Sequence, residues 1–457
     1  MAGFVKDRLA QLAHGIRYRD LPPEVVLAAK RLILDTLACA VGALKSEPAT
    51  IVRSVADQLG GNAQATLIGG GRTSCVLATL VNGTLMRYLD NNDYYFGLDS
   101  AHPSGNLAPA LAVAEKAGRD GSEVIAALVA AYEIQIRLCD LAGAAGISGR
   151  GWHPGTHSQF SSAALAARLL SDDPGVTAQA LAIAGSHNNT LAQSQRGHIP
   201  LMKATTEASI AKGGVEAALL AAGGLTGPEE IFEGAAGWGK TVAGAVNFEA
   251  LTAPVSGRYR ILDTCLKPYA AVAGAMAPIR AAIDLATQER LPPADIISVT
   301  IKLHEHAVAK AADPQKNYPR DKETADHSYH YCVAAALLDG ACGPAQFTDH
   351  RIAATDIRDL IAVTRLEADA EMTTRWPKSS GGGVVVRLRD GREFRRIVPY
   401  PPGHPRNPMT DDEIARKFLE LSDGVLTTSR ADQVIDAVSR FEHCEHIGEL
   451  LGGMSAG

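Results

Sequence analysis

From Pro22 to about Gly223 the chain is a succession of alanine-rich segments whose apolar residues recur at helical spacing, a pattern that few folds accommodate over so long a stretch. Pro22-Pro23 stands before Glu24, a favoured helix start, and Val25, Val26, Leu32, Leu34 and Leu37 supply the apolar face behind it. Similar segments run from Cys75 to Leu89, Leu107 to Ala117, Val124 to Leu141, Ser161 to Leu170, Ala178 to Gly185 and Ser209 to Ala222. The breaks between them carry Gly, Pro, Asp or Ser, as turns require. Aromatic residues are only 5% while hydrophobic residues reach 46%, so small side chains fill the interior, and close-packed helices are favoured over a β-sandwich.

Past Lys267 the texture changes. Ile296 to Leu303 alternates with period two and is β-branched, and Val384 to Arg389, Asp390-Gly391 and Glu393 to Val398 read as a hairpin. Tyr331 to Leu338 is helical again, and from Thr410 the pair Asp411-Asp412 opens a return to helix that continues through Phe418 and Ile435. The expected fold is therefore mainly α with a smaller α+β domain: a helical domain over 1–265 completed by 401–457, and an α+β domain over 266–400.

With 44 Lys and Arg against 50 Asp and Glu, the net charge of −6 leaves no basic excess for a phosphate backbone, and nucleic acid is not expected as a partner. The most apolar stretch, Val25 to Leu44, is broken by Lys30, Arg31 and Asp35, which argues against a membrane span. Lys6, Asp7 and Arg8 fall where a signal peptide needs its apolar stretch, and seven cysteines without tight spacing fit reduced thiols, so a cytoplasmic protein is expected.

Several motif matches lack their context. Gly234 to Thr241 fits the P-loop pattern, yet Thr226 to Glu233 before it cannot be a central strand, and the reading is a Gly-rich surface loop. Gly453 to Gly457 fits a nucleophile elbow with no helix to follow, and His443 with His446, like His304 with His306, lacks the further ligands of a metal site. The closest cysteines, Cys332 and Cys342, are ten apart, which argues against an iron–sulfur cluster. No Gly-x-Gly-x-x-Gly follows a strand, so neither a metal nor a nucleotide cofactor is expected.

Five polar clusters interrupt the apolar pattern. They are Arg87 to Tyr94 running into Ser100 to Asn106; Gly151-Trp152-His153-Pro154; Arg196-Gly197-His198 with Lys203 beyond; Lys267-Pro268-Tyr269; and Glu323 to Tyr331. Asp90 lies three residues from Asp93 and four from Tyr94, so at a helix end the three share a face. Asp, His, Lys and Tyr converging from both sides of a domain boundary suit a cleft for acid–base chemistry on an anionic substrate.

These clusters resemble the MmgE/PrpD family, which includes 2-methylcitrate dehydratase, cis-aconitate decarboxylase and iminodisuccinate epimerase. The matching stretches are Arg87 to Asp93, His102 to Asn106, Met202-Lys203, Leu225 to Pro228 with Ile231 to Gly234, Leu266 to Tyr269, and Glu323 to Ser328 leading to Tyr331 and Leu337 to Gly340. The resemblance implies a large all-helical domain, a smaller α+β lid, and a cofactor-free site between them in a homodimer. It also implies site roles for Asp90, His102, His153, Lys203, Lys267 and Tyr331, with His327 in the motif; of these Asp90, His102, Lys203, Lys267 and Tyr331 are expected to be catalytic, and His153 and His327, with Asp93 and Tyr94 from the first cluster, to bind substrate.

The expected reaction is removal of a proton next to a carboxylate of a small hydroxylated di- or tricarboxylate such as 2-methylcitrate, followed by loss of water. Lys203 and Lys267 would absorb the developing charge, Tyr331 or His102 would protonate the departing hydroxyl, and Asp90 would tune His102. Epimerisation is the alternative, and decarboxylation ranks third: decarboxylase-like members carry Thr where this chain has Tyr94, and His where it has Val272, while dehydratase-like members also usually carry Thr at the Tyr94 place and have Trp-Lys where this chain has Met202-Lys203. A helical binding protein that kept the fold without the chemistry is the non-enzymatic alternative.

Overall fold

In the computed structural model, which describes residues 3–141, 146–244 and 246–455, the alanine-rich stretches form the helices Pro23–Gly42, Cys75–Tyr88, Leu107–Ala117, Gly121–Leu141, Ser158–Leu170, Pro174–His187 and Lys203–Ala222. Their ends follow local chemistry. Pro23 occupies the first turn, where a missing N–H costs nothing, and the Ser74 hydroxyl accepts from the Leu77 amide to start the next helix of the site. Leu107–Ala117 stops at Gly118, which takes φ 66°.

Small residues let these helices approach closely. A Cβ at Gly83 would come within 2.9 Å of the Ala208 Cβ, and one at Gly214 within 2.8 Å of the Ser162 Cβ. Three helices therefore meet almost backbone to backbone, which fixes where Cys75–Tyr88 and Lys203–Ala222 deliver the residues at their ends.

Buried apolar side chains fall into two clusters. The larger runs from Val5 through the helices above and takes in Met409, Ile414, Phe418, Val434, Phe441 and Leu451, so the C-terminal helices Asp411–Ser422 and Thr428–Ser439 pack back on the N-terminal part. Thr410 and Glu413 form a reciprocal capping box where the chain returns to helix. The smaller cluster joins Met276–Gln288 and Tyr329–Asp339 to a four-stranded sheet.

In that sheet Ile296–Leu303 pairs in parallel with Thr364–Ala368 and antiparallel with Gly382–Leu388, which pairs antiparallel with Glu393–Val398. Gly391 turns the hairpin at φ 90°. The molecule is mainly helical with a smaller α+β part, as the sequence pattern predicts. Among the described residues no helix is long and apolar enough to cross a membrane. The P-loop look-alike is a run of turns ending in a short π-helical turn, Gly239–Ala243, with no strand delivering it.

One loop belongs to both clusters. After Cys75–Tyr88 the chain sends Tyr94 into the smaller cluster, where its amide and carbonyl exchange hydrogen bonds of 2.8 Å with Cys265. The segment carrying Asp90 is thereby stapled between the two cores.

Candidate active site

The helix Cys75–Tyr88 ends in a left-handed turn at Asp90, with φ 50°, a conformation that aspartate tolerates better than most side chains. Its buried carboxylate meets Arg87 Nη1 at 2.9 Å, Lys267 Nζ at 3.0 Å, Lys203 Nζ at 3.5 Å and His327 Nε2 at 3.7 Å. Burial alone would raise its pKa, but Lys203, Lys267 and Arg87 together hold it well below the usual carboxylate range.

A second carboxylate, Asp326, completes the cluster. Lys322 Nζ lies 2.7 Å from it and Lys203 Nζ 3.8 Å, and His327 Nδ1 hydrogen-bonds to it directly. Burial pushes Asp326 up as well, and Lys203 and Lys322 more than reverse the effect. Glu207 approaches Arg87 Nε at 3.7 Å, and burial raises its pKa against the pull of Arg87. Four cations thus face three carboxylates, one of which resists ionising.

The two lysines differ in how they are held. Lys267 is fixed: its Nζ donates to the Asp90 carbonyl at 2.8 Å and to the Asp90 carboxylate at 3.0 Å, and burial lowers its pKa to about 8. Lys203, 4% exposed at its side chain, opens the helix Lys203–Ala222 and has no hydrogen-bond partner for Nζ among the described residues. Burial lowers its pKa, with Asp326 and Asp90 opposing.

His102 donates from Nδ1 to the Asp93 carbonyl at 2.6 Å; a carbonyl can only accept, so Nε2 keeps its lone pair. Burial, then Arg87 and Lys267, hold its pKa well below the usual histidine value, so the ring is neutral. His327 is likewise lowered, first by burial and then by Lys203.

The other predicted residues are placed differently. Asp93 accepts from the Ser104 amide and hydroxyl and from the Tyr132 hydroxyl, and burial raises its pKa to about 6 despite those bonds. His153 accepts at Nδ1 from the Gly155 amide at 2.9 Å and bonds to Gln195 through Nε2; burial lowers it to about 4. The ring of Tyr94 packs 5.1 Å from that of Phe96 inside the smaller core. Tyr331 is fully buried there too, its hydroxyl donating to the Gln346 carbonyl and its ring 5.7 Å from that of Phe347. The structure therefore gathers Asp90, Lys203, Lys267 and His327; His102 is held on the Asp93 carbonyl in the loop that follows, and Asp93, His153, Tyr94 and Tyr331 have other partners.

Asp90, Asp326 and His327 are the one group of three possible metal donors within 4.8 Å among the described residues. Lys203, Lys267, Arg87 and Lys322 already neutralise both carboxylates, so a divalent cation would lie against ammonium groups. The arrangement suits an anion better.

The MmgE/PrpD N-terminal domain matches residues 7–251, and the MmgE/PrpD C-terminal domain matches 269–443. The chain belongs to the MmgE/PrpD family. It is 27% identical to a cis-aconitate decarboxylase of Homo sapiens, covering 99% of this chain and 95% of that one. It is 28% identical to a 2-methylcitrate dehydratase of Cupriavidus necator, covering 89% of each, and 24% identical to a 2-methylcitrate dehydratase-like protein of Aspergillus oryzae, covering 92% and 89%. MmgE/PrpD relatives that are decarboxylases and dehydratases support an enzyme.

In this MmgE/PrpD protein, Asp90 and Lys203 fall in the N-terminal match and Lys322, Asp326 and His327 in the C-terminal one, with Lys267 in the stretch between, so the cluster draws on both. Sequence reasoning did not single out Arg87, Glu207, Lys322 or Asp326 as site residues. Lys322 and Asp326 are four apart on one helical turn, a spacing that pairs opposite charges, and Asp326 lies inside the polar cluster Glu323 to Tyr331.

Proposed function

We propose that this protein is a hydro-lyase that removes a proton alpha to a carboxylate of a small hydroxylated di- or tricarboxylate, of the 2-methylcitrate kind, and expels water without a cofactor. The observation that carries this reading is Lys203: a buried ammonium without a hydrogen-bond partner among the described residues, beside two carboxylates already served by other cations. A substrate carboxylate supplies what its protons lack.

In this mechanism His102 Nε2 takes the proton from the carbon next to the carboxylate, and the electron pair of that C–H bond spreads onto the carboxylate. Lys203 and Lys267 stabilise the charge in a water-poor site, where preorganised cations act most strongly. The pair then forms the C=C bond as the C–O bond breaks, and the departing hydroxyl takes a proton from the imidazolium formed at His102 and leaves as water. Asp90 holds Lys267 and Arg87 in place during both steps. Tyr331, bonded to Gln346, has no part in this scheme.

Decarboxylation has whole-chain relatives on its side, but Val272, where decarboxylase-like members are expected to carry histidine, is apolar and lies against Asp326, its amide donating to the Asp326 carbonyl at 2.7 Å. We take the working unit to be a homodimer, as the family resemblance implies; a solution mass of one chain by light scattering would refute that.

The test is incubation of purified protein with 2-methylcitrate, citrate and related hydroxy acids, following ultraviolet absorbance of the conjugated product. Absorbance should rise with at least one of them. Folded protein that leaves all of them unchanged but releases carbon dioxide from cis-aconitate would replace dehydration by decarboxylation, and solvent-deuterium exchange without elimination would favour epimerisation.

A further inference from the structure

The turn that carries Asp90 leaves its helix through three peptide carbonyls, and each meets a lysine from a different part of the chain. The Tyr88 carbonyl accepts from Lys322 Nζ at 2.6 Å, the Asp90 carbonyl from Lys267 Nζ at 2.8 Å, and the Asn91 carbonyl from Lys417 Nζ at 2.5 Å. Carbonyls at a helix C-terminus have no partner within the helix and carry its negative end, so cations suit them. Lys322 and Lys267 also touch a carboxylate of the site. Lys417 does not.

Its side chain is 7% exposed, and its ammonium spends its three protons elsewhere: on the Asn91 carbonyl, on the Lys267 carbonyl at 2.8 Å, and on Asp35 Oδ1 at 2.6 Å. Lys417 sits on the C-terminal helix Asp411–Ser422, and Asp35 on Pro23–Gly42. One buried group therefore ties together the turn of Asp90, the backbone of Lys267 and the helix beneath both. A buried ion pair is a poor means of stabilising a core, because an apolar pair of the same volume commonly serves as well. Holding two backbone segments at a fixed separation is a task an apolar pair cannot do.

We propose that Lys417 is a positioning residue: by bonding the carbonyls of Asn91 and Lys267 it sets the distance between the Asp90 carboxylate and the Lys267 ammonium, and so makes the C-terminal helix part of the working site. The inference rests on the reading of Asp90 and Lys267 as site residues. Displacement of a reacting group by about 1 Å costs on the order of a hundredfold in rate, which sets the scale of the effect.

Three full-length variants test it. Asp35→Asn removes the buried charge opposite Lys417 but leaves both carbonyl bonds, so kcat should stay within about twofold of wild type while Tm falls. Asp35→Asn/Lys417→Met removes the carbonyl bonds as well, and relative to Asp35→Asn its kcat should fall roughly thirtyfold or more with KM changed by less than about threefold. Asp35→Asn/Lys417→Gln restores an amide NH2 on a shorter side chain and should recover part of the loss. Hydrogen–deuterium exchange gives a readout independent of the reaction: amides at 89–92 and those of Leu266 and Lys267 should exchange about tenfold faster in the Met variant, while the interior of Cys75–Tyr88 stays protected. A Met variant matching Asp35→Asn in both kcat and exchange overturns the proposal; if the Met variant does not melt cooperatively, the same comparison with the Gln variant decides. Wild-type protein inactive on every acid tried refutes the proposed reaction instead, and the exchange comparison then judges Lys417 alone.

Discussion

Asp90 and Asp93 lie three residues apart in one buried loop, yet their surroundings are opposite. Asp90 is ringed by Arg87, Lys203 and Lys267, whereas the Asp93 carboxylate is held by the amide and hydroxyl of Ser104 and the hydroxyl of Tyr132. Cations drive the first well below the usual range, and burial lifts the second to about 6. The pair shows that burial alone does not mark chemistry: Asp93 has neutral partners that close the loop, while Asp90 organises charge that exceeds its own.

The linkage runs in opposite directions. The folded state holds the Asp93 proton more tightly than the unfolded chain, so its stability contribution falls as pH rises from about 4 to about 6. Asp90 contributes stability above its unfolded value, and this is lost only as pH falls well below about 4.

Replacing Asp90 breaks the comparison most severely. Asp90→Asn leaves Arg87, Lys203 and Lys267 without a shared counter-charge, and about 3–5 kcal/mol of stability should go with it, as when one member of a buried pair is removed. Turnover should fall by about a thousandfold or more, since both lysines lose their anchor. Chemical denaturation and steady-state kinetics on the same preparation check both. Next comes Lys203→Met, which removes a cation with no hydrogen bond to lose but two ion pairs: turnover should drop about a hundredfold to a thousandfold, and Tm should fall less than in Asp90→Asn, because Asp90 keeps Lys267 and Arg87 and Asp326 keeps Lys322. An equal loss of stability would make Lys203 a structural lysine.

Acidity sharpens the contrast further. Lys267 gives up its proton at about pH 8, so turnover should decline above that value while the substrate is still fully ionised. Its folded pKa lies below its unfolded value of 10.5, so its contribution to stability rises as pH climbs from about 8, and unfolding at this group does not explain such a decline. A pH–rate profile with a parallel melting series separates the two; turnover flat to pH 10 would remove Lys267 from the charge-stabilising role.

Much of this was legible in the sequence, for physical reasons that also explain the rest. Asp390-Gly391 between alternating strands announces its hairpin, and Ile296–Leu303 has the bounds its alternation predicts. The strand Thr364–Ala368 was hidden because Thr-Arg-Leu-Glu-Ala carries one large apolar side chain, as an edge strand can. Several helices begin before their apolar period does. Lys203–Ala222 starts six residues ahead of Ser209 because Lys203, Thr206 and Glu207 put polar groups on its buried face. Asp90, His102, Lys203, Lys267 and His327 stand out as polar breaks in apolar text, whereas Lys322 and Lys417 carry no such mark, and only the tertiary fold brings them to the carbonyls of Tyr88 and Asn91.

On the neutral side of the comparison, Tyr132→Phe deletes the 2.7 Å hydroxyl bond to Asp93. The carboxyl keeps its Ser104 bonds, so the expected loss is about 1–3 kcal/mol, with turnover within about twofold. A large fall in turnover at unchanged stability would extend the reacting region to Asp93.

Tyr331→Phe is the mildest probe and the most direct check on a residue that the motif alone places in catalysis. The hydroxyl donates to the Gln346 carbonyl from a fully buried ring packed on Phe347, so its removal leaves one carbonyl short of a donor and no charge uncompensated. Burial raises the phenol pKa, which weakens it as an acid at neutral pH. Stability should fall by about 1 kcal/mol in urea unfolding, and kcat and KM should both stay within about twofold. If kcat instead dropped tenfold or more with the unfolding midpoint unchanged, the hydroxyl would have to leave Gln346 during turnover and reach the substrate, and the smaller domain would have to move against the larger for that to happen.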